Sequence, residues 1–357
     1  MTDPRLRSAF SPAGLLRMPL FWGVVAIVLL LLINVLRDPG YLAISVNPAN
    51  GNLVGNLVDI LRASAPILMI AAGMCLVVAT GGIDLSVGSI MVVSGAVAME
   101  FLNSAAAPDS GLAALAAFLL AIAFGAILGA VNGILVSVVG LQPFISTLVL
   151  LLAGRGLAKV ITGGQNTAAS NEPFRWIANG YLVGLPVVLL FAVLVVIGVG
   201  LLVRRSALGL MIEAIGMDPK AARLAGVKRR SLLLTVYVAS GILAGIAGVF
   251  ATASVMTVDV SRTGYQLELD AILAVVIGGT SLAGGKFNLV GTVVGALLIA
   301  TLDKTVVFLG ISSSATPAFK AIVIVVLCLL QSERVRQLFR RRRTAGSSVP
   351  TTEAVSA

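Results

Sequence analysis

Histidine is missing from this chain of 357 residues. That absence removes imidazole general bases, histidine metal ligands and the usual proton-relay side chain together. Cysteine is nearly missing too, with Cys75 and Cys328 both inside apolar segments. Disulfide-framework and zinc-site spacings are lacking, so no redox role and no metal site is expected. Charge is scarce: Asp, Glu, Lys and Arg make up 11% of residues, against 58% hydrophobic. A water-soluble domain of that composition would expose too much apolar surface.

What fills the chain instead is a succession of long apolar runs. Phe21 to Leu36 holds one polar residue, Asn34; Leu112 to Val139 holds only Asn132 and Ser137; Val183 to Val203 holds none. About 20 apolar residues in a helix span the hydrocarbon layer. The runs are continuous, whereas barrel strands alternate apolar and polar. The fold class is therefore an all-α polytopic membrane protein of about ten transmembrane segments, or eight to ten if some are broken. They fall near 20–36, 62–80, 84–102, 112–139, 142–162, 183–203, 231–253, 268–283, 288–309 and 317–331. The segment 268–283 is short and interrupted by glycine, which suits a broken or re-entrant helix. Basic residues precede the first run, as in a signal peptide. However, Leu20 to Leu36 is longer than a signal core and no small-residue cleavage site follows, so it reads as an uncleaved span.

The net charge of +10 sits in three blocks: Arg5, Arg7 and Arg17; Arg204 to Arg230; and Arg334 to Arg343. Ten spans put all three on the cytoplasmic side, with both termini, as the positive-inside rule asks. Membrane lipids, not nucleic acid, are the partners this placement suggests. The organisation expected is a cytoplasmic segment 1–19, one transmembrane domain 20–331 with an inner loop 204–230, and a basic then disordered tail 332–357.

Three local patterns stand out. In the inner loop, Met217-Asp218-Pro219-Lys220-Ala221-Ala222-Arg223-Leu224-Ala225-Gly226 predicts a short helix with both ends marked. Asp218 suits the N-cap, Pro219 the first turn and Gly226 the left-handed turn beyond the end. Such a helix is either a docking element for a soluble partner or a plain connector. Next, Thr80-Gly81-Gly82-Ile83-Asp84-Leu85-Ser86-Val87-Gly88 predicts a tight reversal or an unwound helix. Asp84 is then either an N-cap at the membrane edge, together with Ser86, or part of a polar kink lining a pathway. Finally, GGIDLSVG at 81–88 and GGTSLAGG at 278–285 share the pattern G-G-x-x-L-x-x-G, too short to establish a repeat. Residues 279–286 only imitate a phosphate loop. The first glycine is one residue too distant, and Phe287 replaces the magnesium-holding Ser or Thr, so the chain should not bind ATP.

Other polar residues lie in apolar context. Asp303 and Lys304 are adjacent and should find different partners. Lys159 and Lys320 lie near span ends and are expected to snorkel. Asn132 and Glu268 share this context, and Asn132 is a further candidate for a pathway or structural polar role; Arg155 and Asp270 are deeper and better suit an interhelical pair or a pathway lining.

Four stretches resemble the monosaccharide-importing ABC permeases of the ribose/xylose/galactose type. They are TGGIDLSVGSIMVVSGAV at 80–97, QPFISTLVLLLAGRGLAKVITGGQ at 142–165, ALGLMIEAIGMDPKAARLAGV at 207–227 and LELDAILAVVIGGTSLAGGKFNLVGTVVGALL at 267–298. IEAIG, LELDAILAVVIGG, GGKFNL and QSER look most similar to the galactofuranose-importing branch. The resemblance implies a non-enzymatic permease subunit of the bacterial inner membrane, without a cofactor of its own. It implies a second permease subunit, cytoplasmic ABC ATPase subunits and a periplasmic sugar-binding protein as partners. It also implies an ATPase-coupling role for the segment carrying Glu213, Gly216, Asp218, Pro219, Ala221, Ala222, Arg223 and Gly226. Two readings from other classes compete. One is an ion-coupled secondary transporter of a small polar solute. The other is an intramembrane aspartyl protease using Asp84 and Asp270.

Overall fold

The computed structural model describes residues 19–107, 109–312 and 314–331. The expected N-terminal segment and C-terminal tail, with their basic blocks, lie outside the described residues but for residue 19. Thirteen α-helices carry the described chain. They are α1 (Pro19–Arg37), α2 (Asn56–Ala79), α3 (Val87–Asn103), α4 (Gly111–Ile134), α5 (Pro143–Ile161), α6 (Glu172–Asn179) and α7 (Val187–Arg205). Then follow α8 (Ala207–Met217), α9 (Pro219–Leu224), α10 (Arg229–Val255), α11 (Leu267–Ile277), α12 (Leu289–Phe308) and α13 (Thr316–Gln331). A π-turn, Leu135–Val139, extends α4. Three two-residue antiparallel pairings close loops: β1 (Ser45–Val46) with β2 (Leu53–Val54), β3 (Thr167–Ala168) with β6 (Thr257–Val258), and β4 (Tyr181–Leu182) with β5 (Leu185–Pro186).

Seven helices have the length and composition to cross a membrane: α1, α2, α4 with its π-turn, α5, α7, α10 and α12. The others among the ten expected segments, α3, α11 and α13, are shorter. Several boundaries differ from the sequence expectation for local reasons. Helix α2 begins at Asn56, six residues early, because its first turns are polar (Asn56, Asp59, Arg62) and invisible to an apolar criterion. Helix α3 begins three residues late because 84–86 belong to the reversal. The run at 183 starts as a hairpin around Val183 and Gly184, and the helix follows from Val187.

The core is α2, α3, α10 and α12, which α1, α4, α5, α7 and α11 surround. Between α4 and α10 there is no room for side chains. A Cβ built at Gly125 or Gly129 would collide with the backbone of Gly241 or Tyr237, and one at Gly133 meets Leu234. Three glycines at i, i+4 and i+8 thus let two apolar helices touch backbone to backbone, where lipid offers no hydrophobic drive for association. Polar groups fasten other helix pairs. Asn34 Nδ2 donates to Thr305 Oγ1 at 2.9 Å, tying α1 to α12, and Lys304 pairs with Asp59 at 2.9 Å, tying α12 to α2.

Helices α8 and α9, with the start of α10, cap the end of the bundle where Lys220, Arg223, Lys228, Arg229 and Arg230 cluster. We call this the basic end. The pairings β1–β2, β3–β6 and β4–β5 lie at the opposite end, where Leu53 N donates to Gly184 O and Asn179 Nδ2 to Ser254 O.

Candidate functional site

At the basic end, α9 forms as its sequence dictates. Asp218 Oδ1 accepts from the backbone N–H of Lys220 at 2.8 Å and of Ala221 at 3.1 Å, so two orphan donors are satisfied. Pro219 fills the first turn. Beyond the end, Gly226 takes φ +84°, and Val227 N donates back to Ala222 O at 3.0 Å. Asp218, Pro219, Ala221, Arg223 and Gly226 are exposed, and Leu224 at the tip is 87% exposed. Ala222 is the inward residue. It is buried with Ile212, Ile215, Leu233 and Tyr237, and holds α9 to α8 and α10. A partner would therefore meet Leu224 and the cations around it, not Ala222. A cleft of about 1160 Å³ runs alongside, between α9 and the π-turn, lined by Ser137, Lys220, Arg223, Lys228, Arg229 and Arg230.

Glu213 is partly buried within α8, while Gly216 sits at the junction of three segments. Gly285 N donates to Ala79 O at 3.0 Å, which links the end of α2 to the loop after α11. Gly216 lies directly on that bond: a Cβ there would collide with Ala79 O and Gly285 N. Gly284, at φ +86°, lies against Gly81 and Gly216. The two G-G-x-x-L-x-x-G stretches therefore meet, and the end of α8 rests on their contact. Asn288 closes the second stretch, donating to Gly278 O at 2.7 Å and accepting from Gly291 N at 3.0 Å.

The reversal 80–86 turns back into the bundle rather than lying at its edge. Asp84 is fully buried. Its Oδ1 accepts from Ser86 N at 3.0 Å and Ser86 Oγ at 2.6 Å, and its Oδ2 accepts from Ser240 Oγ at 2.8 Å, near the middle of α10. Asn132 Nδ2 donates to Ser86 Oγ at 2.8 Å, and Ser146 Oγ donates to Asn132 Oδ1 at 3.1 Å. One connected network thus fastens the start of α3 to α4, α5 and α10. The edge position expected for Asp84 is corrected: it organises the reversal, but in the interior. Sequence reasoning weighed Asp84 and Asn132 but did not find Ser146 or Ser240. Serines in an apolar helix carry no signal of what they face.

Arg155 and Asp270 are brought to different partners. Arg155 Nη1 donates to Thr263 O at 2.7 Å. Asp270 receives Lys320 Nζ at 2.9 Å, and the same ammonium reaches Asp303 at 2.8 Å. The expectation that Lys320 snorkels is overturned, since two carboxylates hold it between α11, α12 and α13. Asp303 and Lys304 do find separate partners, as their adjacency required. Asp84 and Asp270, each engaged in its own network, share no proton and form no dyad. Among the described residues no group of His, Cys, Asp and Glu has a metal-holding arrangement.

Two comparisons complete this geometry. A family model described as branched-chain amino acid transport system / permease component matches residues 56–330. The fructose import permease protein FruF of Bifidobacterium longum is 52% identical over 91% of this chain and 90% of its own length. The galactofuranose transporter permease protein YtfT of Escherichia coli is 41% identical over 90% of this chain and 92% of its own. The ribose import permease protein RbsC of Escherichia coli is 37% identical over 79% and 87%. No solved structure matches.

Proposed function

The chain belongs to the family of transport-system permease components described above, and from that premise we propose that it is the membrane-spanning subunit of a binding-protein-dependent ABC importer. Its solute is a monosaccharide, as in the names of the three relatives, and its place is the bacterial inner membrane. A second permease chain completes the pathway, cytoplasmic ATPases supply the energy and an outer binding protein supplies the sugar. The basic end faces the cytoplasm, in line with the positive-inside rule.

The observation that carries the reading is the exposed, doubly capped α9 seated through Gly216 on both glycine-rich reversals. ATP-driven closure of the ATPases moves α9. Through α8 this moves the ends of α2 and α11 together, which is how a local contact can select between two arrangements of a bundle.

Purification of the tagged chain in mild detergent, with identification of bound subunits, tests the reading. An ATPase subunit should accompany the wild type and be lost from Arg223→Glu with Leu224→Glu. Both changes lie on the exposed face of α9, so folding should be unaffected. A monodisperse wild-type chain that brings down no ATPase would overturn the proposal.

A further inference from the structure

The start of α11 carries a second cluster, distinct from the docking end. After α10 the chain pairs briefly as β6. Residues 259–266 then turn without helix into the side of the bundle. Gly264 and the carboxylate of Glu268 lie against Gly88, in the first turn of α3. From this one place α3 runs toward the opposite end and α11 toward the basic end. Gly88 follows Asp84, which is bonded to the middle of α10, so the meeting point lies deep in the bundle.

Non-helical backbone at membrane depth persists only where protein buries it or water reaches it. Here protein does not wholly bury it. Tyr265 is 62% exposed, and Gln266 and Arg155 are partly exposed beside it. A phenol, an amide and a guanidinium are poor neighbours for acyl chains at this depth. Glu268 is only 9% exposed, and its Oε2 has no hydrogen-bond donor.

We propose that Arg155, Tyr265, Gln266 and Glu268 form a solute-contacting station on the pathway wall, and that its ligand is an uncharged polyol of monosaccharide size. The inference rests on the importer reading, with a second permease chain supplying the facing wall. Charge decides the ligand class. Arg155 and Glu268 offset each other, and Asp270, which lines a cleft with Gln266, is offset by Lys320, so a charged solute would leave one unit uncompensated away from water. Sugar hydroxyls both donate and accept, and the station offers both: guanidinium and amide N–H as donors, carboxylate and amide oxygen as acceptors, phenol as either. Loss of a hydrogen bond to a charged group corresponds to a change of about tenfold or more in affinity.

The test uses the assembled importer in proteoliposomes, with uptake of radiolabelled fructose, ribose and galactose. With the binding protein present and saturated, Glu268→Gln and Arg155→Gln should each lower the maximal uptake rate about tenfold or more. ATPase retention and sugar-free ATP hydrolysis should stay unchanged, which a folding defect would not allow. A maximal uptake rate within twofold of wild type in both variants overturns the station. A second arm needs no transport. Tyr265→Cys should react with a membrane-impermeant thiol reagent and be shielded by the transported sugar, while Leu119→Cys on the exposed side of α4 should stay silent. Tyr265→Cys as silent as Leu119→Cys places the face in lipid and overturns the station. If the wild type binds its ATPase but imports none of the three sugars, these are not its solutes, and the labelling arm still decides whether the station is wet.

Discussion

Lys320 shows how much a single side chain carries here. It is the shared cation of two carboxylates on two other helices, at 2.9 Å from Asp270 and 2.8 Å from Asp303. Apart from this triad, α13 meets the bundle through a few apolar side chains, including Phe319, Val323 and Ile324. Replacing Lys320 by Met strands the buried carboxylate of Asp270, with the half-exposed Asp303 as a like-charged neighbour, at a cost of about 3 kcal/mol. The thermal midpoint of the detergent-solubilised chain should fall. Adding Asp270→Asn and Asp303→Asn should restore most of it, because the penalty lies in the unpaired charges. An unchanged midpoint for Lys320→Met alone would show the triad to be idle. The sequence marked Asp270, Asp303 and Lys320 as unusual but could not pair them, since Lys320 lies 50 residues from Asp270 in the chain. The same holds for Asp84 and Ser240, 156 residues apart. A buried acid announces that it needs a partner, and only the packing of helices says which one.

At the scale of elements, legibility followed locality. The helix α9 was readable to its caps, because Asp218, Pro219 and Gly226 act within one turn of themselves. Long spans were readable because each needs only its own composition. The reversals were readable as glycine-rich breaks but not as partners. Two similar octapeptides do not reveal that Gly81 and Gly284 touch. The close approach of α4 and α10 was likewise hidden in a general abundance of glycine. It predicts a sharp contrast. Gly129→Leu drives a side chain into the backbone of α10 and should cost at least about 1–3 kcal/mol, with loss of monodisperse protein on size-exclusion chromatography. Gly198→Leu on α7, where a Cβ meets nothing within 4 Å, should behave as wild type. Equal yields from both would remove the seam from the account of stability.

For the whole molecule, the decisive arrangement is that one loop holds both reversals. Gly216→Val would wedge Ala79 away from Gly285 without touching the exposed face of α9. The ATPase should still copurify and hydrolyse ATP, while sugar uptake falls by about tenfold, the scale of a typical coupling energy. Uptake at the wild-type rate would mean that the signal travels elsewhere. The shared fastening also bears on the insulation of the cell. A membrane potential of 100 mV is worth about 2.3 kcal/mol for each elementary charge that leaks across it. Two hinges free to swing separately would at times open both sides at once and let protons and sodium through. Ala79, Gly216 and Gly285 share one contact, so if the reversals are the hinges of the proposed coupling they would swing as a pair, and the doubly open arrangement would have no hinge of its own. On the proposed mechanism, the geometry that lets a sugar in would also keep the ion gradient from running down.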